Sequence, residues 1–416
     1  MLFDPLAHAV IGISVLLLWR QKDYVKVLMG LLYILLLSDN LHPILNFAKD
    51  TKLIYMLLVG VLFIFNSRNL NPKSKLFIIF LPFVIYSFLV LVNSGGNLMT
   101  GLQKTISYTI LLIAVPSLFV KAIHENGKRV LIDFVYLSCI FLLAGIAVKY
   151  VSFDFVTRAG RFCGLFGNPN GLGIYLLLFY LFFRVANYFN PGGFSKGEKL
   201  FIYGLLAYNL FLCSSRSAMG GVIFFYAAEK LFRVSGFVAI VVLILGLFSV
   251  ESFFLFLPKI ITFFNLEEYF RLQTLEEGSG RFIAWEFAWQ QIQDKFFFGG
   301  GFGYDEFVMR KNYDMLARLG HLGGVHNSYL SFWFDFGLVG IIIYFRSFFL
   351  AFIRAHKNHI IALPLMFTVM FSITFESWLV ASLNPYTIQM FMMLAVMLYV
   401  PHRDEIDTLS ESEETA

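Results

Sequence analysis

The chain predicts an all-α integral membrane protein: a bundle of about 12–13 transmembrane helices with one large, partly helical loop on the non-cytoplasmic side. Three observations carry that prediction. Of 416 residues, 58% are hydrophobic and only 14% charged, with a mean hydropathy of +0.74; soluble domains carry about 25% charged residues. Phenylalanine supplies 51 residues, against 32 for Lys and Arg together, and a water-soluble core of this size cannot hide that much aromatic surface. The apolar residues also come in near-continuous runs, not the alternating runs of about 10 residues of a membrane β-barrel. A soluble enzyme, a nucleic-acid binder and a disordered chain are excluded together.

A helix needs about 20 mostly apolar residues to cross the hydrocarbon core. Such runs lie near 6–19, 25–38, 53–66, 76–93, 105–120, 130–150, 171–190, 200–213, 217–232, 236–257, 328–350, 359–376 and 385–400. Two are short, which leaves the count at 12 or 13. The first run lacks a basic leader and a small-residue cleavage site, so it reads as a permanent span.

Charge sets the orientation. Arg20, Lys22, Arg68, Lys73, Lys75, Lys121, Lys128, Arg129, Arg184, Lys196, Lys199, Lys230, Arg233, Arg346, Arg354 and Lys357 fall in alternate connections, and the positive-inside rule makes those cytoplasmic. The net charge of +5 reports this gathering, not a nucleic-acid partner. The expected organisation is 1–257 as transmembrane helices, 258–327 as the large outer loop, 328–400 as C-terminal helices, and 401–416 as a disordered acidic cytoplasmic tail. Residues 281–293 place apolar groups at helical spacing, so the loop is expected to be a partly helical cap. Cys139, Cys163 and Cys213 form neither a disulfide framework nor a metal-binding pair. No internal repeat stands out.

Four polar elements gather on the outer side of this topology. Arg161 precedes a Gly-Asn-Pro-Asn170-Gly turn, where Asn170 is placed to cap a helix. Arg216 stands in Cys-Ser-Ser-Arg-Ser between two closely spaced runs, and a chain rarely puts an Arg in a membrane without a partner or a polar cavity. Gly280-Arg281 opens the loop helix, followed by Gly299-Gly-Gly-Phe-Gly303, which reads as a flexible turn and lacks the pattern of a nucleotide loop. His321 and His326-Asn327-Ser-Tyr-Leu end the loop; the histidines are too poorly spaced for a helical metal pair, and no carboxylate cluster suggests a metal. Three arginines suit a multiply charged phosphate, which guanidinium binds bidentately. A His beside that anion suits a general base. Glu376, near the outer end of a late span, is placed either to pair with an Arg or orient His326, or to face solvent.

With these marks, and Gly337-Leu-Val-Gly340 after them, residues 160–345 resemble the O-antigen ligase/polymerase superfamily of membrane glycosyltransferases. The resemblance implies a multi-pass protein of the bacterial inner membrane with its large loop in the periplasm. It implies transfer of a glycan from undecaprenyl diphosphate to an acceptor hydroxyl, with no cofactor, nucleotide sugar or metal. It maps the diphosphate-binding arginines onto Arg216 and Arg281, with Arg161 third, and the catalytic histidine onto His326. Asn327, Asn170, Glu376 and His321 are supporting candidates. The implied partners are the lipid-linked glycan donor, lipid A–core or another glycan as acceptor, and membrane lipids. The motifs do not separate ligase from polymerase or protein O-oligosaccharyltransferase; a lipid-linked oligosaccharide flippase is the non-enzyme alternative, disfavoured by the large outer loop.

Overall fold

In the computed structural model, residues 3–66, 75–248, 262–263, 280–321 and 323–400 are described. The tail 401–416 and most of 258–279 lie outside them. Helices account for nearly all of the described regular structure. α1 (Phe3–Arg20), α2 (Tyr24–Ser38), α3 (Asn46–Phe65), α4 (Lys75–Leu89), α5 (Leu98–Asn126) and α6 (Arg129–Val151) form the first half. A short antiparallel ladder, Thr157–Arg158 with Arg161–Phe162, precedes α7 (Pro169–Phe189), α8 (Lys196–Cys213), α9 (Arg216–Val234) and α10 (Gly236–Phe248). The loop contributes α11 (Arg281–Gln293), α12 (Tyr304–Lys311) and α13 (Tyr313–Arg318). The chain returns through α14 (Ser328–His356), α15 (Ala362–Phe375) and α16 (Pro385–Tyr399).

Each of the expected apolar runs falls on a helix over its described residues; positions 249–257 of the run at 236–257 lie outside them. Among the described residues, five helical stretches are long and apolar enough to cross a membrane: Leu76–Asn93, Leu98–Asn126, Arg129–Val151, Pro169–Phe189 and Ser328–His356. Several starts are fixed by the residues that precede them. Asn168 accepts from the Gly171 amide ahead of Pro169, and Asn384 accepts from the Tyr386 and Thr387 amides around Pro385. Asn327 accepts from the Leu330 amide at the start of α14. Each occupies an orphan donor of the first turn, and Pro fits there because its missing N–H was unpaired anyway.

Packing sets the directions. Gly173 lies against Ser215 and Ala218, Gly221 against Leu177, and Arg184 pairs with Glu229, so α7 and α9 run parallel. Phe224 stacks on Phe371 while Phe232 meets Phe367, so α9 and α15 run antiparallel. Arg216, at the start of α9, therefore stands at the level where α15 ends. Tyr386 stacks on Phe166, which brings the start of α16 to the start of α7. One end of the bundle thus gathers the N-termini of α7, α9 and α16. The opposite end carries Lys196, Lys199, Lys230, Arg233, Arg354 and Lys357, six of the residues that the charge pattern assigns to one side; Arg346, assigned with them, lies instead inside α14.

α14 corrects the expectation of a single span over 328–350. Gly337 has φ +66°, and the helix breaks there. Phe332 and Tyr344 lie 4.1 Å apart between ring centroids, and Tyr329 and Phe345 5.2 Å; in a continuous helix such pairs would be separated by about 18–24 Å along the axis. The segment 328–336 therefore folds back alongside 338–356. The fold-back brings Ser328 level with Phe345, about 12 Å along the axis from the hinge at Gly337. The start of α14 is thus recessed into the bundle.

The glycine run is likewise no flexible turn. The Gly300 and Gly301 amides donate to the Phe334 and Asp335 carbonyls, and the Gly303 and Asp305 amides donate to the buried Asp335 carboxylate at 2.7 and 2.9 Å. A Cβ on Gly299 would stand 2.4 Å from the Asp335 carbonyl oxygen. Close backbone contact, rather than mobility, is what these glycines permit. Lys104 of α5 closes the junction through a 2.6 Å ion pair with Glu306 of α12.

Candidate active site

Glu376 sits at the centre of the site. α15 ends at Phe375, and Glu376 turns into extended backbone, 5% exposed. One carboxylate oxygen accepts from the Arg281 guanidinium at 2.8 Å, and the other lies 3.2 Å from Nδ1 of His326. A carboxylate buried this deeply needs such partners. The backbone around it is tied to the start of α14: the Ser328 hydroxyl donates to the Glu376 carbonyl at 2.7 Å, and the Asn327 amide donates to the Ser377 hydroxyl at 2.9 Å. Residues far apart in the chain thus converge on one carboxylate because α14 starts in the recess where α15 ends.

His326 adopts φ +52°, in the left-handed region. A non-glycine residue there carries strain of order 1–3 kcal/mol and persists only where its surroundings enforce it. The enforcing contacts are Glu376 on the imidazole and Ser377 on the next amide. With Nδ1–H donating to Glu376, Nε2 is left as a proton acceptor. The space beside Nε2 exists because position 323 is glycine: a Cβ there would lie 2.7 Å from that nitrogen. His321, 2% exposed, sets its ring edge-on to His326 at 5.9 Å and bonds through Nε2 to the Gly324 carbonyl at 3.0 Å. Burial, reinforced by the charge of His326 when protonated, pushes the His321 pKa down, and the neutral ring buttresses the loop.

Arg281 is the first residue of α11, a helix held against α14 through Ala284, Ala288 and Ile292. Trp285 donates to the Val325 carbonyl at 3.0 Å, which ties α11 to the residue before His326. Arg161 is differently engaged. Its guanidinium donates to the Cys213 carbonyl at 2.9 and 2.6 Å, to the Ser214 carbonyl at 3.0 Å, and to Asn170 Oδ1 at 3.3–3.4 Å. It closes the C-terminus of α8, where Ser214 turns left-handed with φ +47°, and ties that turn to the first turn of α7. Cap duty at Gly171 falls to Asn168, and Asn170 instead anchors Arg161. Arg216 follows directly, at the first position of α9.

The end that holds these cations also gathers the N-termini of α7, α9, α11, α14 and α16. The helix dipole makes each a locus of positive potential, the standard setting for a phosphate. Among the described residues, no group of three or more His, Cys, Asp and Glu could hold a metal ion. The comparison with known families falls on this region. Residues 201–345 match the O-antigen ligase family. No curated protein matches the chain.

The matched segment contains Arg216, Arg281, His321, His326 and Asn327. Arg161 and Asn170 precede it, and Glu376 follows it. The match supports a membrane glycosyltransferase of the O-antigen ligase/polymerase type. The structure brings Arg281, His326, Asn327 and Glu376 into direct contact and His321 behind them. Arg161 and Asn170 form a separate knot that seats Arg216 at the same end. One further residue carries no signal in the sequence: Asp39, at the end of α2, accepts from the Gly167 amide at 3.1 Å, and its carboxylate and the Tyr386 hydroxyl both lie against Gly171. Only packing joins positions 39, 167 and 386.

Proposed function

We propose that the protein transfers a glycan from undecaprenyl diphosphate to an acceptor hydroxyl on the periplasmic face of a bacterial inner membrane, as an O-antigen ligase. The observation that carries this reading is the Glu376 carboxylate shared by Arg281 and His326, at the level where the Arg216 helix starts. Arg281 spends one amino group on Glu376 and keeps further N–H donors for a ligand. Arg216, Arg281 and the converging helix N-termini hold the diphosphate, with Arg161 fixing the α8–α9 turn. Charge-assisted hydrogen bonds contribute about 1.5–3 kcal/mol each, and they accelerate transfer insofar as they strengthen while the phosphate leaves.

The acceptor hydroxyl passes its proton to Nε2 of His326, and its oxygen attacks the anomeric carbon. The bond from that carbon to the phosphate oxygen breaks on the opposite face, and the leaving diphosphate keeps the electron pair. The configuration inverts. Glu376 holds Nδ1–H and balances the imidazolium that forms, the role of an orienting acid in other His-dependent enzymes. General-base help of this kind is worth about 10²–10⁴-fold.

Purified His326→Ala protein in nanodiscs, given a lipid-linked glycan and lipid A–core, is expected to lose transfer by at least about 100-fold while remaining folded. Retained transfer sinks the role. A deletion strain decides the acceptor: lipopolysaccharide without O-chain, with lipid-linked polymer accumulating, marks a ligase. Core bearing a single repeat unit marks a polymerase.

A further inference from the structure

The helix that delivers Arg281 to the site has a second face that the chemistry above does not use. Ala284, Ala288 and Ile292 bury one side of α11 against α14. On the opposite side, residues 282, 286, 289 and 293 recur at i, i+4, i+7 and i+11 and form one narrow stripe. It reads Phe, Glu, Trp, Gln. Phe282 is 51% and Trp289 43% exposed, and Glu286 and Gln293 are exposed beside them. Both rings are braced: Phe282 stands edge-on to Trp285 at 5.5 Å, and Trp289 edge-on to Trp333 at 5.2 Å. The rings are about 10 Å apart along the axis, and the stripe runs about 16 Å away from Arg281.

Neither plain solvent fits this stripe. Hydrocarbon would strand the Glu286 carboxylate among lipid tails, at a large desolvation cost. Water would leave two large braced rings without a partner, and each ring has an apolar body that a ligand could cover. A chain of pyranose rings satisfies both halves. Its C–H faces lie flat on aromatic rings, and its hydroxyl rims donate to and accept from carboxylate and amide groups. The spacing of the two rings corresponds to about two sugar units. Because α11 starts at Arg281, a glycan laid on the stripe is continuous with a headgroup held in the site.

We propose that the Phe282–Glu286–Trp289–Gln293 face of α11 is a track that binds the glycan portion of the donor, beyond the sugar that reacts. The proposal rests on the glycosyltransferase reading, and the test separates the two. The probe is polysaccharide released from the host's own lipopolysaccharide by mild acid, free of lipid and of diphosphate. Its binding to full-length protein in nanodiscs is read by saturation-transfer NMR. Wild type and His326→Ala are expected to bind alike, Phe282→Ala/Trp289→Ala to bind at least ten-fold more weakly, and Trp289→Phe, which keeps a ring, to stay within about three-fold of wild type. Equal binding by wild type and the double alanine variant overturns the track. So does an absence of saturation transfer to wild type, which would return the face to the membrane interface. Transfer activity retained by His326→Ala, with polysaccharide binding intact, would overturn the catalytic reading and leave the track standing.

Discussion

Glu376 answers two needs with one carboxylate: it neutralises Arg281 and fixes which imidazole nitrogen of His326 faces outward. Glu376→Gln keeps the shape but removes the charge and permits the wrong hydrogen-bond sense toward Nδ1. Turnover is expected to fall about 10-fold or more, and the KM for lipid-linked donor to rise as Arg281 loses its anchor; steady-state kinetics on the reconstituted variant checks both. His321 adds a pH dependence. Its pKa is lowered in the folded protein, so the unfolded chain takes up the proton first. Its contribution to stability is therefore whole above the ordinary value near 6.5 and is lost as pH falls below it. The melting temperature should drop as pH falls below about 6.5, and drop less in His321→Gln. Equal drops would remove His321 from the account. The candidate residues were legible because Arg and His are rare in so apolar a chain. Glu376 was legible only as one of two alternatives, a partner for an Arg or for His326 against a solvent-facing acid; that it meets Arg281 and His326 together was not, because nothing local connects those positions.

At the scale of elements, the hinge of α14 decides where the site lies. Its geometry admits glycine alone: φ is +66°, and a Cβ would stand 2.3 Å from the Phe297 backbone. A left-handed L-residue costs about 1–2 kcal/mol before any overlap, so Gly337→Ala should destabilise by about 2 kcal/mol or more and abolish transfer. Gly324→Ala is the control, since a Cβ there meets nothing within 4 Å; chemical denaturation of both variants distinguishes them. Arg161 makes a separate test. Its bonds to the last carbonyls of α8 predict that Arg161→Ala loses about 1.5–3 kcal/mol of stability. Unchanged stability with a raised donor KM would mean that its guanidinium serves the ligand instead. The break in α14 was invisible in the sequence because Gly337 is followed by apolar residues that continue the hydropathy run. Hydropathy records burial in lipid and says nothing about direction.

At the scale of the molecule, the two ends differ in kind. One collects lysines and arginines of the loops, and the other collects helix N-termini around a few half-buried cations. This arrangement predicts opposite labelling at the two ends. A cysteine at Asp314, exposed on α13, should react with an impermeant maleimide on intact spheroplasts. One at Lys357 should react only after permeabilisation. The native cysteines are all buried, so background labelling should be low. The reverse pattern would invert the topology and remove the site from the periplasmic face.

The helices themselves were determined locally. Apolar runs of spanning length fold as helices because lipid leaves the backbone no other way to satisfy its polar groups, and Asn-Pro pairs and Asn327 mark starts that a single turn decides. The residue types of the site were also legible, since isolated cations in an apolar chain need a reason. Only tertiary structure decided which of them meet. The fold-back at Gly337 lowers the start of α14 into the bundle, and the antiparallel packing of α9 on α15 brings Arg216 level with Glu376. Those contacts depend on the directions of whole helices, which hydropathy and spacing do not encode.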